Sequence, residues 1–211
     1  MTTATRSIRP RLAAGIVAML AAAAAVAAAA GPASAGTTVK AKYRVTGSTY
    51  IKAPNFTLNL GPGRLVTRVD LKTGKLTARL SMPDATGSFK QLGIIPVTST
   101  TQFINDGLTT GRLNLKTGTV RTKSKITLRI VSLTVAGLPV PVGNSCETKS
   151  PAVVRLTSQP GFNVLEGGNV AGAYTIPDFS GCGVATPLIN LTIPGGGNTI
   201  TLTLGKAKVG R

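Results

Sequence analysis

Apolar and polar positions alternate with a period of two along much of the chain. Between 64 and 72, Leu65, Thr67, Val69 and Leu71 interleave with Arg64, Val66, Arg68, Asp70 and Lys72; after Lys72-Thr73-Gly74, Leu76, Ala78 and Leu80 interleave with Lys75, Thr77 and Arg79. Side chains two apart share a strand face, so the pattern predicts a hairpin. Facing Val69 with Leu76 and Leu65 with Leu80 keeps the apolar set on one side, and a one-residue slip would expose all of it. That register also sets Asp70 against Lys75 as a cross-strand charge pair. A longer strand follows Lys116-Thr117-Gly118. In it Arg121, Lys123, Lys125 and Arg129 fall on one face, opposite Ile126, Leu128 and Ile130. Near the C-terminus, Ile189, Leu191 and Ile193 precede Pro194-Gly195-Gly196-Gly197-Asn198, and Ile200, Leu202 and Leu204 follow it. This predicts a closing hairpin.

Turn signals recur between these runs. They include Gly61-Pro62-Gly63, Pro83-Asp84-Ala85-Thr86-Gly87, Asn105-Asp106-Gly107 and Glu166-Gly167-Gly168-Asn169. No segment beyond residue 35 has helical periodicity. The expected fold is all-β, a single domain of roughly ten to twelve strands arranged as an antiparallel β-sandwich or β-barrel. The stretch from Arg68 to Leu76 resembles that from Arg112 to Val120, which suggests two similar hairpins in one sheet system. The loop Gly137-Leu138-Pro139-Val140-Pro141-Val142-Gly143 is apolar, but its prolines exclude it from a central strand. It reads as a buried crossover, or else its Leu138, Val140 and Val142 form a lip around an apolar pocket or a partner site.

The first 35 residues differ from the rest. Arg6, Arg9 and Arg11 precede an Ala-rich apolar run, which ends in Gly31-Pro32-Ala33-Ser34-Ala35. A positive start, an apolar run and a small-x-small site define a secretory signal peptide, expected to be cut after Ala35. Residues 1–35 are then the leader and 36–211 the β domain. The rival reading is an uncleaved anchor, since the run is near bilayer-spanning length. No cysteine follows the site to accept a lipid, and no sorting signal is read at the C-terminus. The expected location is secreted or extracytoplasmic, with at most non-covalent association with the cell wall.

The chain carries 24 Lys and Arg against six acids. Three of the cations lie in the leader and every acid lies beyond it, leaving about +15 on the domain at pH 7. Such an excess favours anionic partners. Arg64, Arg68, Arg79, Arg121, Lys123, Lys125 and Arg129 are the anion-binding candidates. A bland role for the same stripe is to block edge-to-edge aggregation. The two cysteines, Cys146 and Cys182, form an even count in an oxidising compartment and are expected to be bridged. Closing that loop is worth roughly 4 kcal/mol in the chain-entropy treatment.

The chain has no histidine, which excludes Ser-His-Asp and Cys-His nucleophile systems and His-bearing zinc sites. The acids are scattered, so a glycosidase-like carboxylate pair or a Ser-Lys dyad would need tertiary convergence. No catalytic residue, metal or cofactor is assigned. The few aromatics do not interleave with the Arg121–Arg129 stripe as a base-stacking platform requires, so nucleic acid is not expected as a partner. Asn55-Phe56-Thr57 and Asn190-Leu191-Thr192 match glycosylation sequons, which matter only in a eukaryotic secretory route.

The Ala-rich leader, the two Leu-Lys-Thr-Gly hairpins and the stretch Ala173-Tyr174-Thr175-Ile176-Pro177-Asp178-Phe179-Ser180-Gly181-Cys182-Gly183 resemble small secreted β-rich proteins of high-GC actinobacteria. The resemblance implies export and a β-rich fold and brings no catalytic residues or ligand. Two functions follow as expectations. The first is a non-catalytic binding protein whose basic face contacts anionic wall polymers or lipid headgroups. The alternative is a carrier holding an apolar or lipid ligand in a cavity of several hundred Å3, the usual size of ligand pockets.

Overall fold

The first hairpin pairs in the register that its apolar residues demand. In the computed structural model, which describes residues 38–210, Val69 lies opposite Leu76 and Leu65 opposite Leu80. The strands concerned are β2 (Phe56–Asp70) and β3 (Lys75–Ser81). The leader read from residues 1–35 lies outside the described residues. The domain belongs to a unit running from Thr37 to Arg211 that carries its own core.

Eight antiparallel strands close into a barrel. Around it run β1 (Thr38–Ile51), β2, β3, β6 (Thr109–Leu113), β7 (Val120–Val135), β10 (Ala152–Ser158), β11 (Gly168–Ile176) and β13 (Gly195–Leu204), and β13 returns to β1. Six shorter or peripheral strands complete the sheet. They are β4 (Ala85–Gln91), β5 (Ile95–Asn105), β8 (Leu138–Pro139), β9 (Glu147–Thr148), β12 (Phe179–Ser180) and β14 (Lys208–Gly210). The long β7 has two halves. Residues 120–126 pair with β6 and β10 inside the barrel. Residues 126–135 pair with β5, which carries β4 outward as a flap. The flap packs back over β2, with the Phe56 and Phe89 rings 5.1 Å apart.

Two turn assignments are corrected. Gly61-Pro62-Gly63 does not end a strand: β2 runs through it, and the register with β1 shifts between Val45 and Gly47. Gly61, at φ +88°, takes the bulge conformation that bends a long barrel strand. The closing hairpin is also absent. Thr186–Thr192 is a short helix, α1, and the three glycines open β13 rather than turning it. Ile189 and Ile193, four apart, reach the same core cluster while Leu191 points to solvent. A short apolar run fits a strand or a helix equally, and Pro187 at the helix start favours the helix.

The expected Asp70–Lys75 charge pair is replaced by a turn. Asp70 Oδ1 accepts hydrogen bonds from the Lys72 and Thr73 amides at 2.8 and 3.1 Å, and Gly74 N–H donates to Asp70 O. The second hairpin repeats this with Asn114, Lys116, Thr117 and Gly118. A third copy joins β10 to β11, where Asn163 Oδ1 accepts from the Leu165 and Glu166 amides and Gly167 closes the turn. The shared requirement is Asx followed four residues later by a glycine able to adopt positive φ. Strand direction puts all three turns at one end of the barrel.

Asn114→Ala removes two accepted bonds and should lower stability by about 1 kcal/mol, seen as a melting temperature roughly 2–4 °C lower. Asp70→Asn keeps the acceptor but not its charge, and should melt slightly below the parent at neutral pH. The two amides hold the Asp70 carboxyl below its ordinary pKa. Its folded pKa is the lower one, so its contribution is present above the unfolded pKa and is lost as pH falls through the folded value. Thermal melts across the acid range should show that loss in the parent and not in Asp70→Asn.

Candidate functional site: a basic groove on the barrel wall

Outward-facing positions on β3, β6, β7 and β10 gather cations because adjacent strands place them level. Lys75 faces Arg112, Arg112 faces Arg121, and Lys123 faces Arg155. Elsewhere on the wall Lys40 faces Arg68, and Arg44 faces Arg64. Like charges directly opposite on adjacent strands destabilise a sheet, so the arrangement works against the fold's own stability. Lys75, Arg112, Arg121, Lys123 and Arg155 line a shallow groove of about 590 Å3, with Thr77 and Thr110 hydroxyls between them. Gly111 lets β6 approach here, since a Cβ on it would stand 2.3 Å from Arg121 O. None of the five has an acid within ion-pair distance among the described residues. The ion pairs there are Arg129–Glu147, Lys149–Asp178 and Lys206–Glu166.

Arg121 and Lys123 lie in the groove. Lys125 is exposed farther along the same face of β7, opposite Val153. Arg64 borders a second basic hollow of about 910 Å3 with Lys42, Arg44, Lys206 and Lys208. Arg68 and Arg79 are exposed on the wall. Arg129 is engaged instead, donating from Nη2 to Glu147 Oε2 at 2.9 Å and from Nη1 to Gln102 at 3.5 Å. Lys75, Arg112 and Arg155 were missed. Each alternates with apolar neighbours on its own strand, but the strand order that sets them beside Arg121 and Lys123 is not written locally.

The barrel interior is nearly filled. Its void measures about 80 Å3, and a second one under the flap about 40 Å3. The loop carrying the third turn folds into the open end. Val164 packs against the cluster of Val69, Leu76, Ala78 and Leu113, and Tyr43 Oη donates to Val164 O at 2.9 Å. Burial pushes the Tyr43 phenol above its ordinary pKa, partly offset by Thr67, so it remains a donor across the neutral range. At the other end Val142 is buried beside the bridge between Cys146 and Cys182, whose Cα atoms are 4.2 Å apart. Leu138 is 70% exposed, and the loop from 137 to 143 runs back along β7, with Val140 N–H donating to Leu133 O. No helix among the described residues is long and apolar enough to cross a membrane. No family model, curated protein or solved structure matches the chain.

Proposed function

We propose that the chain is exported, cleaved after Ala35, and serves as a non-catalytic binding protein of the cell envelope or extracellular space. Its basic barrel wall holds it to anionic wall polymers or lipid headgroups, the shared chemistry being phosphate or carboxylate at high density. The observation that carries this reading is the register of like charges. Lys75, Arg112 and Arg121 face one another in sequence across three strands, and Lys123 faces Arg155. A polyanion laid along the groove would convert that repulsion into attraction. The interior void of about 80 Å3 favours this surface reading over an apolar carrier, because a carrier's pocket spans hundreds of Å3.

The test is co-sedimentation of the purified domain with isolated envelopes across a salt series. Binding should weaken steeply as the Debye length falls from about 10 Å at 0.1 M to 3 Å at 1 M. Replacing Arg112, Arg121 and Lys123 together by glutamine should weaken binding roughly a hundredfold, at about 1 kcal/mol per cation near an anionic surface. The same variant should melt at or above the parent temperature, because it removes like-charge pairs. Binding that ignores both salt and the substitutions would overturn the reading. A variant that loses stability would mark these cations as structural.

A further inference from the structure

The end of the barrel that carries the three Asx turns has a second property beside charge. Each turn exposes a leucine. Leu71 is 46% exposed, Leu115 48% and Leu165 57%. Leu71 and Leu115 hold the same position in their turns, directly after the Asx residue and directly before a lysine, Lys72 or Lys116. These two turns touch. Leu113 N–H donates to Gly74 O at 2.8 Å, and Leu115 Cγ lies 3.8 Å from where a Cβ on Gly74 would stand. Between them is a notch of about 480 Å3 lined by Lys72, Arg112 and Arg121, with Thr73, Asn114 and Thr119 as polar neighbours. No acid lines it. The Asp70 carboxylate is turned into its own turn by the Lys72 and Thr73 amides.

Exposed leucines scattered singly need no explanation. Here Leu71 and Leu115 stand at matching turn tips on one end of the molecule, Leu71 directly before Lys72 and Leu115 on the wall of the three-cation notch. A soluble polyanion would gain nothing from them. A bilayer surface uses both features, since leucine tips enter the headgroup and acyl boundary while lysine and arginine meet the phosphates. We propose that this end of the barrel docks on an anionic phospholipid bilayer, with Leu71 and Leu115 inserted between headgroups and a lipid phosphate seated in the notch of Lys72, Arg112 and Arg121. The inference rests on the envelope-binding reading and narrows it to lipid, with the barrel axis tipped toward the membrane rather than lying along a polymer.

The experiment compares the domain starting at Gly36 with its Leu71→Ser/Leu115→Ser variant. The probes are vesicles of phosphatidylglycerol and phosphatidylcholine, vesicles of phosphatidylcholine alone, and soluble poly(glycerol phosphate). Both leucines sit on exposed turns, and equal thermal melts establish that the variant is folded. The parent should sediment with the anionic vesicles and not with the neutral ones. The variant should lose at least about tenfold in vesicle affinity while binding the soluble polymer as the parent does. The chain has no tryptophan, so Leu115→Trp supplies a single reporter. Its emission should shift to the blue on anionic vesicles and be quenched by brominated acyl chains. Equal vesicle binding by parent and serine variant, or an unshifted reporter on bound protein, overturns lipid docking and leaves the envelope reading standing on the polymer arm. A parent that binds neither anionic vesicles nor polymer overturns both.

Discussion

Removing the bridge by Cys146→Ala/Cys182→Ala should lower the stability of the domain by about 4 kcal/mol, the loop-closure entropy expected for a link of this span. The cysteines are 36 residues apart in sequence, and both are fully buried. The native side adds to the chain-entropy effect. The bridge joins the loop before β9 to the stretch after β12, and these two-residue strands pair with each other only through Phe179 with Thr148 and Ser180 with Glu147. So short a ladder has little persistence without a tether. The measurement is urea unfolding of the oxidised parent against the variant, with melts in the presence and absence of reductant. The midpoint should fall in the variant, and reductant should lower the parent's midpoint without affecting the variant. Coincident curves would mean that the segments around β9 and β12 are held by their packing alone.

Phe179→Ala should have an effect of similar size, about 3–5 kcal/mol for a large buried aromatic truncated in a packed core. Phe179 is 2% exposed and lies in the cluster of Ile130, Leu133, Ile176 and Ile189 beside the bridge. Its backbone is also an anchor for α1. Asn190 Oδ1 accepts from Phe179 N–H at 2.7 Å, and Asn190 Nδ2 donates to Phe179 O at 3.0 Å. Loss of the ring therefore leaves a cavity where the helix, the bridge and the flap meet. Phe179→Leu should recover much of the loss, because it restores most of the volume. Equilibrium unfolding checks both variants, and a Phe179→Ala midpoint close to that of the parent would place β12 and α1 outside the cooperative unit. Binding to anionic vesicles by folded Phe179→Ala should persist, since the groove and the turn-end notch are formed by other residues.

The basic groove joins local and distant determinants. Arg121 and Lys123 were visible as a stripe because strand alternation is a local property. Arg112 was visible only as one member of a repeated hairpin, and Arg155 lies in a strand that the intervening chain separates from β7. Their convergence follows from β7 pairing with β6 on one edge and β10 on the other. Arg129 belongs to the same alternating series, yet it leaves the set because β9 brings Glu147 to it. The third Asx turn was legible as a turn from Glu166-Gly167-Gly168-Asn169 but not as a copy of the first two. Its Asn163 and Gly167 keep the spacing of the first two, but the residues between them differ, so a search for Leu-Lys-Thr-Gly passes over it.

Period-two alternation with turn residues between the runs determined an all-β antiparallel chain and the register of its first hairpin. It did so because a slip by one residue would move the whole apolar face into water. The even cysteine count fixed which side chains could bridge. Tertiary structure alone decided that the sheet closes into a barrel, that Gly61-Pro62-Gly63 bends a strand instead of ending it, and that 186–192 is helical. Closure depends on β13 meeting β1 and on β7 meeting β10, pairings between segments far apart in sequence. Local pattern specifies which face of a strand is apolar, and only the assembled sheet specifies which strand lies beside it.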